Sequence, residues 1–207
     1  MTKRHPNITI HRHSLSIVQE PERLRMARRG ELVHQAIRFL CDEAGTRPSH
    51  GHTTRKQADH GPDCDTDHGT FRGIGTKEIE QAVRRALALL GEDPGQWKID
   101  SDFVRPLGKA LTLPRARAWF EPGLRTLREA EIVDAKGDVH RPDLVVIPKH
   151  VAAGKPIEII DFKVGKREEG HSEQVKAYGD LLQAVYEGAE VKGFLLYIDE
   201  PAIVEVA

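Results

Sequence analysis

Only 2 of the 207 residues are cysteine. That is too few for a disulfide framework or a four-cysteine cluster, and it fits a reducing compartment. No apolar run approaches the roughly 18 residues that a membrane span needs. The opening MTKRHPNITIHRH lacks the apolar centre of a signal peptide, so the expected compartment is the cytoplasm, with no membrane partner. A Gly-x4-Gly-Lys-[Ser/Thr] loop is also missing, which excludes a P-loop motor within these residues.

What is present is ordinary in bulk. Hydrophobic residues make up 39% and charged residues 30%, which rules out a wholly disordered or fibrous chain. A chain of this length can bury roughly 70% of its unfolded surface, so a single domain over 1–207 with a real core is expected. The net charge of −1 hides an asymmetry: residues 1–56 hold 11 Lys or Arg against 5 Asp or Glu. A basic front half can meet phosphate, although solvated surface explains such a bias equally well.

Apolar residues at helical spacing predict a helix from Pro21 to about Glu43, on Leu24, Ala27, Val33, Ala36, Ile37 and Leu40, with Gly30 as the one point of interruption. Residues 44–75 are rich in Gly, Pro, Asp, Thr and His without a period and read as a flexible insert. Its His50, His52, His60, Cys64 and His68 match no zinc-ligand spacing. A second helix is expected over TKEIEQAVRRALALLG, capped by Thr76 and ended by Gly91, and short helical pieces over 92–122. REAEIVDA and HRPDLVVIP then predict a hairpin, IEIIDFKV a third strand, HSEQVKAYGDLLQAVYEG a helix and VKGFLLYID a fourth strand. The order β-β-β-α-β implies an α/β fold with a central mixed sheet flanked by helices.

One strand contradicts its own apolar character. In EIIDFKVG, Asp161 and Lys163 stand two apart, and alternate side chains of a strand share a face. A buried carboxylate is costly unless a cation or donors compensate it, and Lys163 can do so. Asp143, opening the preceding strand, would bring a second carboxylate close; two such groups repel, and a divalent metal is the natural reason to join them. On the following helix Gln174 and Tyr178 are four apart and share a face, where Tyr178 can equally be core.

The ordered set Asp143, Asp161-x-Lys163, Gln174-x3-Tyr178 resembles the PD-(D/E)xK nuclease superfamily. With Gly30-x3-His34 in RGELVH it looks more narrowly like the RecB/AddA-type nuclease domain at the C-terminus of helicase-nucleases. The resemblance implies a restriction-endonuclease-like core and a metal-dependent DNA nuclease, an exonuclease of DNA repair and recombination. It further implies Mg²⁺, with Mn²⁺ also acceptable, held by Asp143 and Asp161, with His34 and the Phe162 carbonyl as further ligands. Lys163 would position the attacking water, and a glutamate would come from Glu129 or Glu131, with Glu131 preferred; from their shared face, Gln174 and Tyr178 can orient the strand end or contact a nucleic-acid backbone. DNA is the implied partner, together with a helicase subunit or a fused helicase domain. The chain departs from the family in Asp143-Leu144 for Asp-Arg and in DFKVG for Asp-Tyr-Lys-Thr-Gly. The rival expectation is a nuclease-fold module that binds DNA or scaffolds without turnover.

Overall fold

The computed structural model describes residues 21–46, 74–121, 124–148, 155–168 and 170–206. The expected insert and its histidines therefore lie almost wholly outside the described residues. Helix α1 (Pro21–Thr46) runs through Gly30 without a break. Its buried apolar residues are Leu32, Val33, Ala36, Ile37, Leu40 and Cys41, whereas Leu24 is 53% exposed. Helix α2 (Thr76–Leu89) buries Ile79, Ala82, Val83, Ala86 and Leu87 against α1. Thr76 is its first helical residue and caps nothing; Gly75 holds the cap position without a side-chain bond. Gly91 ends the helix at φ 67°, a conformation glycine adopts without strain.

Residues 92–121 form the expected short pieces, including a π-helical turn (Asp100–Val104), α3 (Arg105–Leu111) and α4 (Pro114–Trp119). Five strands make a mixed sheet in the order β1 (Arg125–Arg128), β4 (Leu144–Ile147), β5 (Ile157–Lys163), β6 (Val191–Tyr197), β7 (Ala202–Glu205). Only β5 and β6 are parallel, joined by helix α5 (Gly170–Val185), the crossover that parallel neighbours require. The fold is mixed α/β, as the element order implies. No described helix is long and apolar enough to cross a membrane.

The central strands are buried on both faces. Leu144, Val146, Ile160, Phe162, Phe194 and Leu196 pack towards α1 to α4. Val145, Ile147, Ile157 and Ile159 pack towards Tyr178 and Leu182 of α5, and Leu195 and Tyr197 towards Val175. That near-continuous apolar character is what a sheet covered on both sides needs.

The expected hairpin forms only in part. β4 pairs with β1, which lies ahead of REAEIVDA except for Arg128, opposite Leu144, and the expected pair survives as a separate two-stranded ribbon of β2 (Ile132–Val133) and β3 (Val139–His140). The chain breaks between β1 and β2 at Glu129, which has φ 44°. Glu129 and Glu131 consequently do not share a strand face, contrary to the reading of REAEIV as one strand. β7 was not expected: AIVE is too short to show a period.

Candidate active site

The two strands that carry the expected site part company just where the acidic residues stand. β4 pairs with β5 only as far as Leu144 opposite Ile160, while β5 continues beside β6 to Lys163 opposite Tyr197. At this fork the backbone of Phe162 turns an amide and a carbonyl towards the side that β4 has vacated. Asp143 takes the amide: its Oδ2 accepts from Phe162 N at 2.8 Å. His34 of α1 takes the carbonyl, with Nε2 2.8 Å from Phe162 O. The His34 Nδ1 is 3.1 Å from Asp143 Oδ1, so helix, loop and strand end close into one triangle.

Both ring nitrogens of His34 thus face acceptors, an arrangement that suits the doubly protonated ring. Burial opposes that charge most strongly, but the hydrogen bond and charge of Asp143, the charge of Asp161 and the Phe162 carbonyl outweigh it, and the His34 pKa is raised.

Asp161 and Lys163 emerge together on the opposite face of β5, towards α5, as alternation requires. Asp161 is 3% exposed. Lys163 Nζ approaches Asp161 Oδ2 at 2.7 Å as an ion pair, yet that oxygen has no hydrogen bond of ordinary geometry. Burial, then the nearby charge of Asp143, push the Asp161 carboxyl up to about 6, against the pull of Lys163 and His34. Lys163 Nζ also donates to Gln174 Oε1 at 3.0 Å, Gln174 Nε2 donates to the Tyr178 hydroxyl at 2.8 Å, and that hydroxyl donates to the Arg141 carbonyl at 3.4 Å. The helical i, i+4 pair therefore acts as a strut that holds the lysine. Tyr178 is also core, 6% exposed among Val145 and Ile159.

The two glutamates separate. Glu131 pairs with Arg141 at 2.5 Å on the surface. Glu129 accepts from Arg38 at 3.2 Å and lines a niche with His34, Arg38 and Asp143. It also borders a cleft of about 470 Å³ beside Gly30, Glu31, His34 and Gln35. A side chain at Gly30 would meet nothing within 4 Å and would stand in this cleft. The preference for Glu131 thus rests on a strand that the fold does not form, and Glu129 is the glutamate beside Asp143. No local signal reveals this, because a left-handed glutamate looks in sequence like any other.

Among the described residues no three His, Cys, Asp or Glu side chains form a ready-made metal cage. Two carboxylates, an imidazole and a carbonyl lie along the fork instead, and a buried carboxylate oxygen lacks a hydrogen bond. A hard ion such as Mg²⁺ keeps several waters and needs only one or two carboxylates, so this donor set fits it.

No protein-family model matches the chain. No curated protein matches it either. Among solved structures it is similar to one described as the crystal structure of SSO0001, at 21% sequence identity and a TM-score of 0.30, over 64% of this chain and 59% of that one. The chain thus spans less than two thirds of that protein's length.

Proposed function

We propose that this chain is a metal-dependent DNA nuclease of the PD-(D/E)xK superfamily, with a restriction-endonuclease-like core and the motif set of the RecB/AddA type. The observation that carries the reading is the meeting of Asp143, Asp161, Lys163 and His34 at one fork of the sheet, from three places in the chain. Structural ion pairs rarely require two carboxylates in mutual repulsion, one of them buried; a site that must attract a divalent cation does.

Mg²⁺, or Mn²⁺, held by Asp143 and Asp161 with His34 and the Phe162 carbonyl in support, would supply charge stabilisation on the phosphate and a more acidic attacking water. Lys163, held at its tip by Gln174, presents a positive charge on the α5 side, where it can orient that water and meet the anionic phosphate. Gln174 and Tyr178 fix the lysine without taking part in bond making. Glu129 would accept a proton or bind a water on the cleft side. An exonuclease in the cytoplasm, acting in DNA repair and recombination beside a helicase subunit or a fused helicase domain, is the setting this reading favours.

A second reading has one observation behind it. His34 is already paired with Asp143, and Lys163 with Asp161, so the charges are balanced with no metal. A DNA-binding module without turnover would look the same. Calorimetric titration with Mn²⁺ separates the two. The nuclease reading expects binding that is lost in Asp161→Ala; DNA binding with no Mn²⁺ heat would favour the module.

A further inference from the structure

Arg29 is the one buried arginine among the described residues, and its partner lies far along the chain. Its Nη1 and Nη2 donate to the two oxygens of Asp199 at 2.9 and 2.6 Å, and its Nε donates to the Asp102 carbonyl at 2.8 Å. Asp199 lies in the turn between β6 and β7, 170 residues further on. The same Asp199 Oδ2 accepts from the Gly165 amide at 2.8 Å. Gly165 has φ 96°, which only glycine adopts freely, and stands two residues beyond Lys163. Next to it Ile198 N donates to the Lys163 carbonyl at 2.9 Å.

One charge pair therefore joins four pieces of chain. The first is α1, with His34 five residues, or ~7.5 Å of helix, beyond Arg29. The second is the β6–β7 turn that carries Asp199, the third is the exit of β5 just past Lys163, and the fourth is the π-helical turn through Asp102. Stability alone is a poor reason for such a pair. An ion pair taken partly out of water is often no better than an apolar packing of the same volume, but the planar guanidinium fork imposes a distance and an orientation that apolar contacts do not.

We infer that Arg29 and Asp199 are positioning residues, which hold His34 on α1 and Lys163 on β5 in register across the sheet; the inference rests on the nuclease reading for its consequence in catalysis. Asp199→Asn keeps the size and one acceptor, and Arg29→Lys keeps the charge but not the fork. Each should lower kcat about 10–100-fold, with KM for DNA within about 3-fold, the scale seen when supporting groups of a site are removed. Glu158→Gln serves as the matched control. It disturbs the pairing of Glu158 with Trp119 and Arg115 at the far end of β5, and it should leave kcat unchanged.

Amide and imidazole NMR spectra of the metal-free protein supply a readout independent of activity. Asp199→Asn should move the His34 ring and Lys163 amide signals and leave Leu182 and Gln183, at the far end of α5, in place. Unmoved His34 and Lys163 signals overturn the inference whatever the activity does, and so do moved signals with an unchanged kcat in an active protein. If the wild-type chain cleaves no DNA, the nuclease reading falls, and the spectra still decide the clamp.

Discussion

The Asp143 carboxylate caps the amide of Phe162 at 2.8 Å, and by doing so it both closes the fork between β4 and β5 and fixes its own orientation. A buried amide left without a partner costs about 1–3 kcal/mol, so this acidic residue has a structural duty beside its chemical one. Asp143→Ala should therefore lower stability by about that amount as well as abolish metal-dependent cleavage. Asp143→Asn, which can still accept from Phe162, should abolish cleavage with a much smaller loss. Thermal denaturation beside a cleavage assay checks the pair.

The raised Asp161 pKa carries a sign. The folded protein holds the Asp161 proton up to about 6, whereas the unfolded chain releases it near 3.8. Between those values the folded state binds more protons, so this group contributes a loss of stability as pH rises from 3.8 to 6, and the loss persists above 6. In EDTA, Asp161→Asn should be the more stable protein at pH 8, by about 1–3 kcal/mol, because the raised carboxyl already includes the pull of Lys163. The difference should vanish below pH 3.8. Chemical denaturation across pH gives the curve; a variant less stable at pH 8 would contradict it.

Glu129 and Glu131 should behave differently. Glu129→Gln, on the cleft beside His34 and Asp143, should cost roughly 10–100-fold in cleavage rate, on the scale of groups that support a metal site. Glu131→Gln, paired with Arg141 on the surface, should stay within about 2-fold. Steady-state cleavage rates at saturating metal compare them.

Packing under the site is tested at Ile160, fully buried on the α1 face of β5. Ile160→Ala should cost about 2–5 kcal/mol in denaturant unfolding, the range for large-to-small changes in a core. Val185→Ala, at a residue 64% exposed, should cost within about 0.5 kcal/mol.

What could be read in the sequence was what depends on period. The alternation along EIIDFKV sends Ile160 and Phe162 to the α1 side and Asp161 and Lys163 to the α5 side. The four-residue spacing of Gln174 and Tyr178 shows directly as a hydrogen bond between them. Relations set by backbone handedness or by distant meetings were not legible. Glu129 is turned out of its strand by a left-handed φ, which moves Glu131 away from the site. Leu24 follows the apolar period of α1, yet it stands 53% exposed. Arg29 meets Asp199 only because two elements far apart in sequence pack together.

Digestion of end-labelled linear and closed-circular DNA in Mg²⁺, with the wild type beside Asp161→Ala and Lys163→Ala, tests the site most directly. Cleavage by the wild type should require Mg²⁺ or Mn²⁺ and favour the linear form. Asp161→Ala should reduce it to background and Lys163→Ala by at least about 10²-fold. Cleavage that survives both substitutions, or that proceeds equally in EDTA, would contradict the proposed nuclease.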